Sequence, residues 1–329
     1  MKLSRFVGAL AAVASATLLA SAPVRAADDF PTRPITMVVG YEAGGPTDLI
    51  ARVMAKSMTK ILHENVIVEN KPGASAHIAA MDVMHSPPDG YRVLVTSLTL
   101  NVNPLLYPKR YDYDSVKAFA PVSNWNTAPM VLVVNYNSPF KSVADIVKAA
   151  KANPGTLTFA SSGIGGSAHL AGEVLSVDAG LKMTHVPFKG NGPALQEVLA
   201  NRISFMFYPS VGIANYVANK QLRVLAVGSK NPLPDFPGVP TMDSLGFANF
   251  DNSAPWVGML APAGTPQAVV DKLNQASNEA MQDPEVKKAF AQFGVLVNGG
   301  SPDDFRQFLI QDRARWADVI SKGHVETSK

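Results

Sequence analysis

The sequence predicts an α/β fold in two parts, each a mostly parallel sheet flanked by helices. Three observations carry this expectation. Short apolar runs alternate with helical patterns; the alternation breaks around residues 121–129 and restarts at 130; and from residue 266 onward the chain is helical, with one interruption near 294–302. Strand alternating with helix builds a mostly parallel sheet covered on both faces. The roughly 300 residues that follow a leader are enough for two such units. A helical block with few strands of its own is expected to return and cover the first unit.

Residues 1–26 read as a secretory leader. Lys2 and Arg5 open it, 6–19 are apolar, and Val24-Arg25-Ala26 offers a small-x-small cleavage site. Cleavage after Ala26 takes Lys2, Arg5 and Arg25 with it, which leaves 26 basic against 26 acidic residues. A neutral mature chain with no long basic run is not expected to bind nucleic acid or an anionic membrane. The chain has no cysteine, which excludes thiol catalysis and cysteine-based zinc sites. No second apolar stretch is long enough to span a bilayer, so the expected home is the periplasm.

In the first unit, 35–39 is a β-branched apolar strand, and 40–46 breaks regular structure with Gly40, Gly44, Gly45 and Pro46. Thr47 and Asp48 offer N-cap oxygens to the helix that follows. Residues 66–69 form a strand, 70–73 a turn, 74–84 a helix, 87–90 a break, 92–96 a strand and 97–104 a polar loop. The second unit runs from a strand at 130–134 through a helix at 143–152, a strand at 156–160 and a glycine-rich turn at 161–167. It continues with a helix at 168–177, a strand at 184–186, a turn at 187–193, a helix at 194–199, and strands at 203–207 and 222–227. Residues 231–240 are a proline-rich connection, and 256–260 a last strand before the helical block. The expected organisation is 1–26 leader, 27–126 first part, 127–254 second part and 255–329 return. Trp125 and Asn126 lie at one crossing and 252–255 at the other, where a hinge is expected.

Two turns carry the chemistry. At 40–47 and again at 161–167, a strand passes through glycines into a helix, which leaves backbone N–H groups free where the helix dipole favours an anion. No Lys or Arg lies between Arg33 and Arg52, so an anion held by the first turn is held by main chain and water. The G-x-G-G core of the second turn suggests a dinucleotide, but no carboxylate ends the strand that follows, as that fingerprint requires. Its serines instead supply hydroxyls suited to a carboxylate and its waters. The histidines show no metal-binding spacing. Neither a cofactor nor a metal is expected.

These residues resemble the solute-binding proteins of tripartite tricarboxylate transporters, the Bug family. The resemblance rests on P-T-R-P-I-T-M-V-V (31–39), A-G-G-P-T-D (43–48), V-E-N-K-P-G-A (68–74), P-D-G-Y (88–91), N-P-L-L-Y (103–107), S-S-G-I-G-G-S-A-H-L-A-G-E (161–173), H-V-P-F-K-G-N-G-P-A-L (185–195) and A-P-A-G-T-P (261–266). It implies a two-lobed Venus flytrap of the type II periplasmic class. A small organic carboxylate, an aromatic acid or an aliphatic dicarboxylate, is then caught between the lobes and passed to membrane transporter subunits by a monomer. The implied ligand groups are Gly44, Gly45, Thr47 and Asp48 on one lobe and Ser161, Ser162, Gly163, Ser167 and His169 on the other. Ser97 and Asn103 from a third loop, with Lys189 and Asn191 from a fourth, complete the cleft. Departures from the family pattern put Tyr41 and Tyr208 near the ligand as aromatic surface. No catalytic residue is expected. Two alternatives are a ligand-sensing subunit for a membrane kinase and a serine hydrolase using Ser162 or Ser167 with His169. The hydrolase lacks a G-x-S-x-G elbow and an acid to orient the histidine.

Overall fold

The computed structural model describes residues 30–111, 113–247 and 250–321. The leader at 1–26 lies outside the described residues, and so do 27–29.

The first sheet takes strands from both ends of the chain. β1 (Ile35–Val39), β2 (Val66–Asn70) and β3 (Arg92–Thr96) come first, linked by α1 (Pro46–Leu62) and α2 (His77–Met84). After α3 (Thr99–Leu106), β4 (Phe119–Thr127) leads out of the lobe. The second sheet is built from β5 (Met130–Asn135), β6 (Thr158–Ser161), β7 (Thr184–Pro187), β8 (Phe205–Pro209) and β9 (Leu222–Val227). Between these strands lie α4 (Val143–Ala152), α5 (Ser167–Asp178), α6 (Asn191–Leu199) and α7 (Ala214–Ala218). The chain then returns through β10 (Trp256–Pro262), α8 (Gln267–Ala280), α9 (Pro284–Phe293), β11 (Leu296–Val297) and α10 (Pro302–Ser321).

The strand orders are β11-β4-β10-β3-β1-β2 and β7-β6-β8-β5-β9. β1 is parallel to β2 and β3, and β6 is parallel to β7 and β8. β10 runs antiparallel to β3 and β4, β11 to β4, and β5 to β8 and β9. Both sheets are therefore mixed, where the sequence pattern suggested mostly parallel ones. The cause is the double crossing: a chain that leaves a lobe and re-enters it runs its return strand against the outgoing one.

Alternation along the strands divides the first lobe's core between the two faces of its sheet. Met37, Val39, Val93 and Val95 pack with α1, α8 and α9, while Val38 and Leu94 pack with α2, α3 and α10. The returning helices thus cover both faces. The second lobe has one core, centred on Phe159, Phe205 and Phe207.

Two local expectations are corrected. The 97–104 segment is largely helical: Leu98, Leu100, Val102 and Leu106 are buried, and packing against α10 overrides its polar composition. Pro104 lies inside α3, where it cannot donate to Leu100 four residues back. The Tyr113 hydroxyl donates to the Leu100 carbonyl instead, at 3.1 Å. Second, α2 begins at His77 rather than 74, because Ala74, Ser75 and Ala76 all take left-handed backbone angles (φ 46°, 52° and 69°). L residues avoid this region.

Candidate functional site

Helices α1, α3, α5 and α6 all begin at the junction of the two lobes. Their N-cap residues are Gly45, Leu98, Gly166 and Gly190, and no side chain caps any of the four. Each helix start leaves N–H groups without an intrahelical acceptor. Together they frame an enclosed chamber with about 30 Å³ of free room, space for a water or two. Its wall includes Gly45, Pro46 and Thr47 from the first turn, Ser97 and Thr99 from the third, and Ser162, Gly166, Ser167 and Asn191 from the second lobe. The crossing strands add Asn126, Ala128, Pro255 and Val257. Among the described residues, no ionisable group lines it except Tyr41. Burial pushes the Tyr41 phenol up to about 12, against smaller opposing effects of hydrogen bonds with Thr99 and Thr96. It therefore stays protonated, 2.7 Å from the Thr99 hydroxyl.

The lobes touch around this chamber. The Ser75 hydroxyl donates across the cleft to the Ile164 carbonyl at 2.6 Å. Gly163 sits directly beneath, with φ +126°, and a Cβ there would come within 2.6 Å of the Ser75 oxygen. Gly165 (φ +77°) is pressed similarly against Asn103, Leu106 and Val102. Only glycine meets both the conformation and the approach. Leu170 of α5 is buried in the first lobe's core cluster. The lobes are therefore closed on one another. A second, larger chamber of about 580 Å³ opens on the other side of these contacts, between Glu42, Arg110 and Tyr111 of one lobe and Ser162, Gly163 and Lys189 of the other.

Behind each turn lies an acceptor that holds it. Asp48, third residue of α1, takes hydrogen bonds from the Gly44 amide, Arg52 Nε and Asn70 Nδ2, each at 2.9 Å. Burial alone would raise its pKa, but the hydrogen bonds from Arg52, Gly44 and Asn70 outweigh this and hold it below the ordinary aspartate value. His169, third residue of α5, takes the Gly165 amide on Nδ1 at 3.1 Å. It stacks on His185 with ring centroids 4.1 Å apart. Burial, reinforced by His185, brings the His169 pKa down to about 3, and burial brings His185 down to about 4. Both rings are neutral at physiological pH. His185 Nε2 lies 2.6 Å from the Ser161 hydroxyl, which donates to the Gly163 carbonyl and accepts from its amide.

The fifteen expected site residues thus separate into groups. Tyr41, Gly45, Thr47, Ser97, Ser162, Ser167 and Asn191 line the inner chamber, and Ser162, Gly163 and Lys189 the outer one. Gly44, Asp48, Ser161 and His169 lie behind the turns and shape them. Thr47 and Asp48 are inside α1 and do not cap it, because Pro46 already starts the helix. Asn103 donates to the Ser75 carbonyl and so braces the left-handed turn at 74–76. Tyr208 is enclosed in the second lobe's core and reaches neither chamber, because β8 is buried along its length. Of the two tyrosines expected at the ligand, only Tyr41 is on the wall. Ser162 and Ser167 make no hydrogen bond to His169 among those described, and its Nδ1 is occupied by Gly165. Thr99 and Asn126 were not expected on the wall. The polar run S-N-W-N at 123–126, inside a strand that is otherwise buried, was the available signal.

Among the described residues no group of three His, Asp or Glu is placed to hold a metal, and no helix is long and apolar enough to cross a membrane.

Comparison with known proteins agrees with this architecture. Residues 50–325 match the model of the tripartite tricarboxylate transporter family receptor. The chain is 36% identical over 312 residues to a UPF0065 protein from the tcbD-tcbE intergenic region of Pseudomonas sp. strain P51, covering 94% of this chain and 92% of that one. The periplasmic binding protein BugD superposes with a TM-score of 0.87 at 32% identity, covering 91% of this chain and all of BugD. MatC from Rhodopseudomonas palustris, with bound malate, superposes at 0.84 with 30% identity, covering 88% of this chain and all of MatC.

Proposed function

The chain belongs to the tripartite tricarboxylate transporter receptor family, and on that premise we propose that it captures a small organic carboxylate between its lobes and presents the closed form to membrane transporter subunits. One observation carries the ligand class: four uncapped helix N-termini meet at a closed chamber whose wall holds no cation. Dipoles and free N–H groups in an enclosed space favour a compact anion, and each charge-assisted hydrogen bond there is stronger than its neutral counterpart. The malate of MatC supports an aliphatic acid over an aromatic one, as does the seclusion of Tyr208.

The finer points follow from the same reading. The lobes are 27–126 with 255–329, and 127–254, so that the crossings near 125–126 and 252–255 act as hinges. The chain is exported, cleaved near Ala26 and acts in the periplasm as a monomer without nucleic acid. It is a receptor and not an enzyme, a reading supported by the family and by Ser162 and Ser167 having no histidine partner among the described residues. A thermal-shift series on the mature protein tests the proposal, using succinate, malate, citrate, glutamate, benzoate and phthalate. A ligand that binds the folded chain raises its melting temperature. We expect a rise with one or more aliphatic acids and little with benzoate. No rise with any carboxylate would overturn the ligand class.

A further inference from the structure

The structure assigns Asn126 as a specificity-determining residue that recognises a neutral hydroxyl or oxo substituent carried beside the ligand's carboxylate. This rests on the carboxylate reading above and goes one step past it.

Asn126 is 0% exposed, yet no group among the described residues hydrogen-bonds to its Nδ2 or its Oδ1. A buried amide with neither end satisfied is rare, and such groups mark a missing partner. Asn126 lines the inner chamber, so that partner belongs there. Its neighbour two residues back behaves differently: the Asn124 oxygen accepts from Asn298 at 3.1 Å. The local backbone accounts for the difference. The β4–β10 register slips between Val257 and Gly258, which face Asn126 and Asn124, so Trp125 has no opposite residue. Bulges of this kind re-aim side chains beside binding sites.

Charge decides what the amide reads. The crossing strands otherwise offer the chamber only Ala128, Pro255 and Val257, and the wall has no Lys, Arg or His. A second carboxylate against Asn126 would be desolvated without a counter-ion. A hydroxyl group is matched at both ends, because an amide both donates and accepts, and an oxo group is matched at Nδ2. Asn191, from the other lobe, also presents an unpartnered Oδ1 to the chamber. A second carboxylate, where present, belongs in the outer chamber with Arg110 and Lys189.

The test is calorimetric titration of the mature protein with two matched pairs, malate against succinate and 2-hydroxybutyrate against butyrate. In each pair the charge is constant and only the hydroxyl differs. The unaltered protein is expected to prefer the hydroxylated member at least tenfold in one pair. Asn126→Leu, which keeps the branching at Cγ and removes both polar atoms, is expected to bring the ratio below twofold. Asn126→Ala reads the same ratio should the leucine variant not fold. Equal affinity within both pairs, or a preference that survives both substitutions, overturns the assignment and leaves the carboxylate reading standing. No binding of any of the four acids overturns the assignment, while the carboxylate reading falls only if the wider thermal-shift series is silent too.

Discussion

The two glycine turns are built on one plan with opposite electrostatics. In each, the third helical residue takes the backbone N–H four positions back, Asp48 from Gly44 and His169 from Gly165. In each, an oppositely charging residue lies one helical turn on: Arg52 is 2.9 Å from Asp48, and Glu173 is 3.7 Å from His169. The first lobe uses an ionised acid with a base behind it, the second a neutral base with an acid behind it. What the two share is an acceptor that fixes the glycine turn so that the remaining N–H groups face the chamber. Full ionisation is not part of the requirement.

The largest effect is expected where the acceptor is charged. Asp48→Ala leaves the Gly44 amide, Asn70 and Arg52 without their common acceptor, and should cost about 2–3 kcal/mol of stability in denaturant unfolding, less than a fully buried pair because Arg52 is half exposed. A loss below about 0.5 kcal/mol would mean that Asp48 does not hold the first turn, and the parallel with His169 would break.

Acid separates the lobes next. Both histidines have lower pKa values folded than unfolded, about 3 and about 4 against 6.5. Between those values and 6.5 the unfolded chain binds protons that the folded chain refuses. Their stabilisation is therefore complete above pH 6.5 and declines as pH falls toward 4, by up to about 1.4 kcal/mol per pH unit for each ring. The Asp48 pKa is also lowered on folding, so its contribution is complete above about 3.8 and is lost only below that. Melting temperatures from pH 7.5 to 5 should fall in the unaltered protein and fall less steeply in His169→Gln. Parallel slopes would show that the histidines do not titrate as the burial requires.

The smallest effect tests closure. Ser75→Ala removes one cross-lobe hydrogen bond to the second turn and should weaken carboxylate affinity roughly two- to fivefold, the size of one neutral bond. Unfolding stability should change little, since neither turn loses its acceptor. An unchanged affinity would place the closing force elsewhere.

How much of this was legible follows the range of the interactions involved. Strand, glycine turn and helix are local patterns, and both turns, 40–46 and 161–167, were readable as N–H-rich helix starts. Helix α3 was not, because its polar sequence is held helical by α10, some two hundred residues away; Asn101 Nδ2 donates to the Leu309 carbonyl. The places of Tyr41 and Tyr208 were likewise undecidable locally, since each lies at the C-terminal end of an apolar strand and only tertiary packing puts one on the wall and the other in the core. Asn126 carried a signal, a polar residue in a buried strand, but its two unsatisfied atoms appear only once the chamber is assembled.

The absence of Lys and Arg from the inner wall has a consequence for ionic strength. Free ions screen exposed charge pairs over about 10 Å at 0.1 M salt, whereas fixed dipoles around a small buried space are screened far less. On the proposed reading, a grip made of helix termini and hydroxyls holds its ligand with nearly the same strength in dilute and in salty surroundings. Long-range attraction of a passing anion is left to the outer chamber, where Arg110 and Lys189 lie with Glu42. For a receptor in a compartment whose salt follows the medium outside, capture at the inner chamber is then set by fit and closure more than by charge.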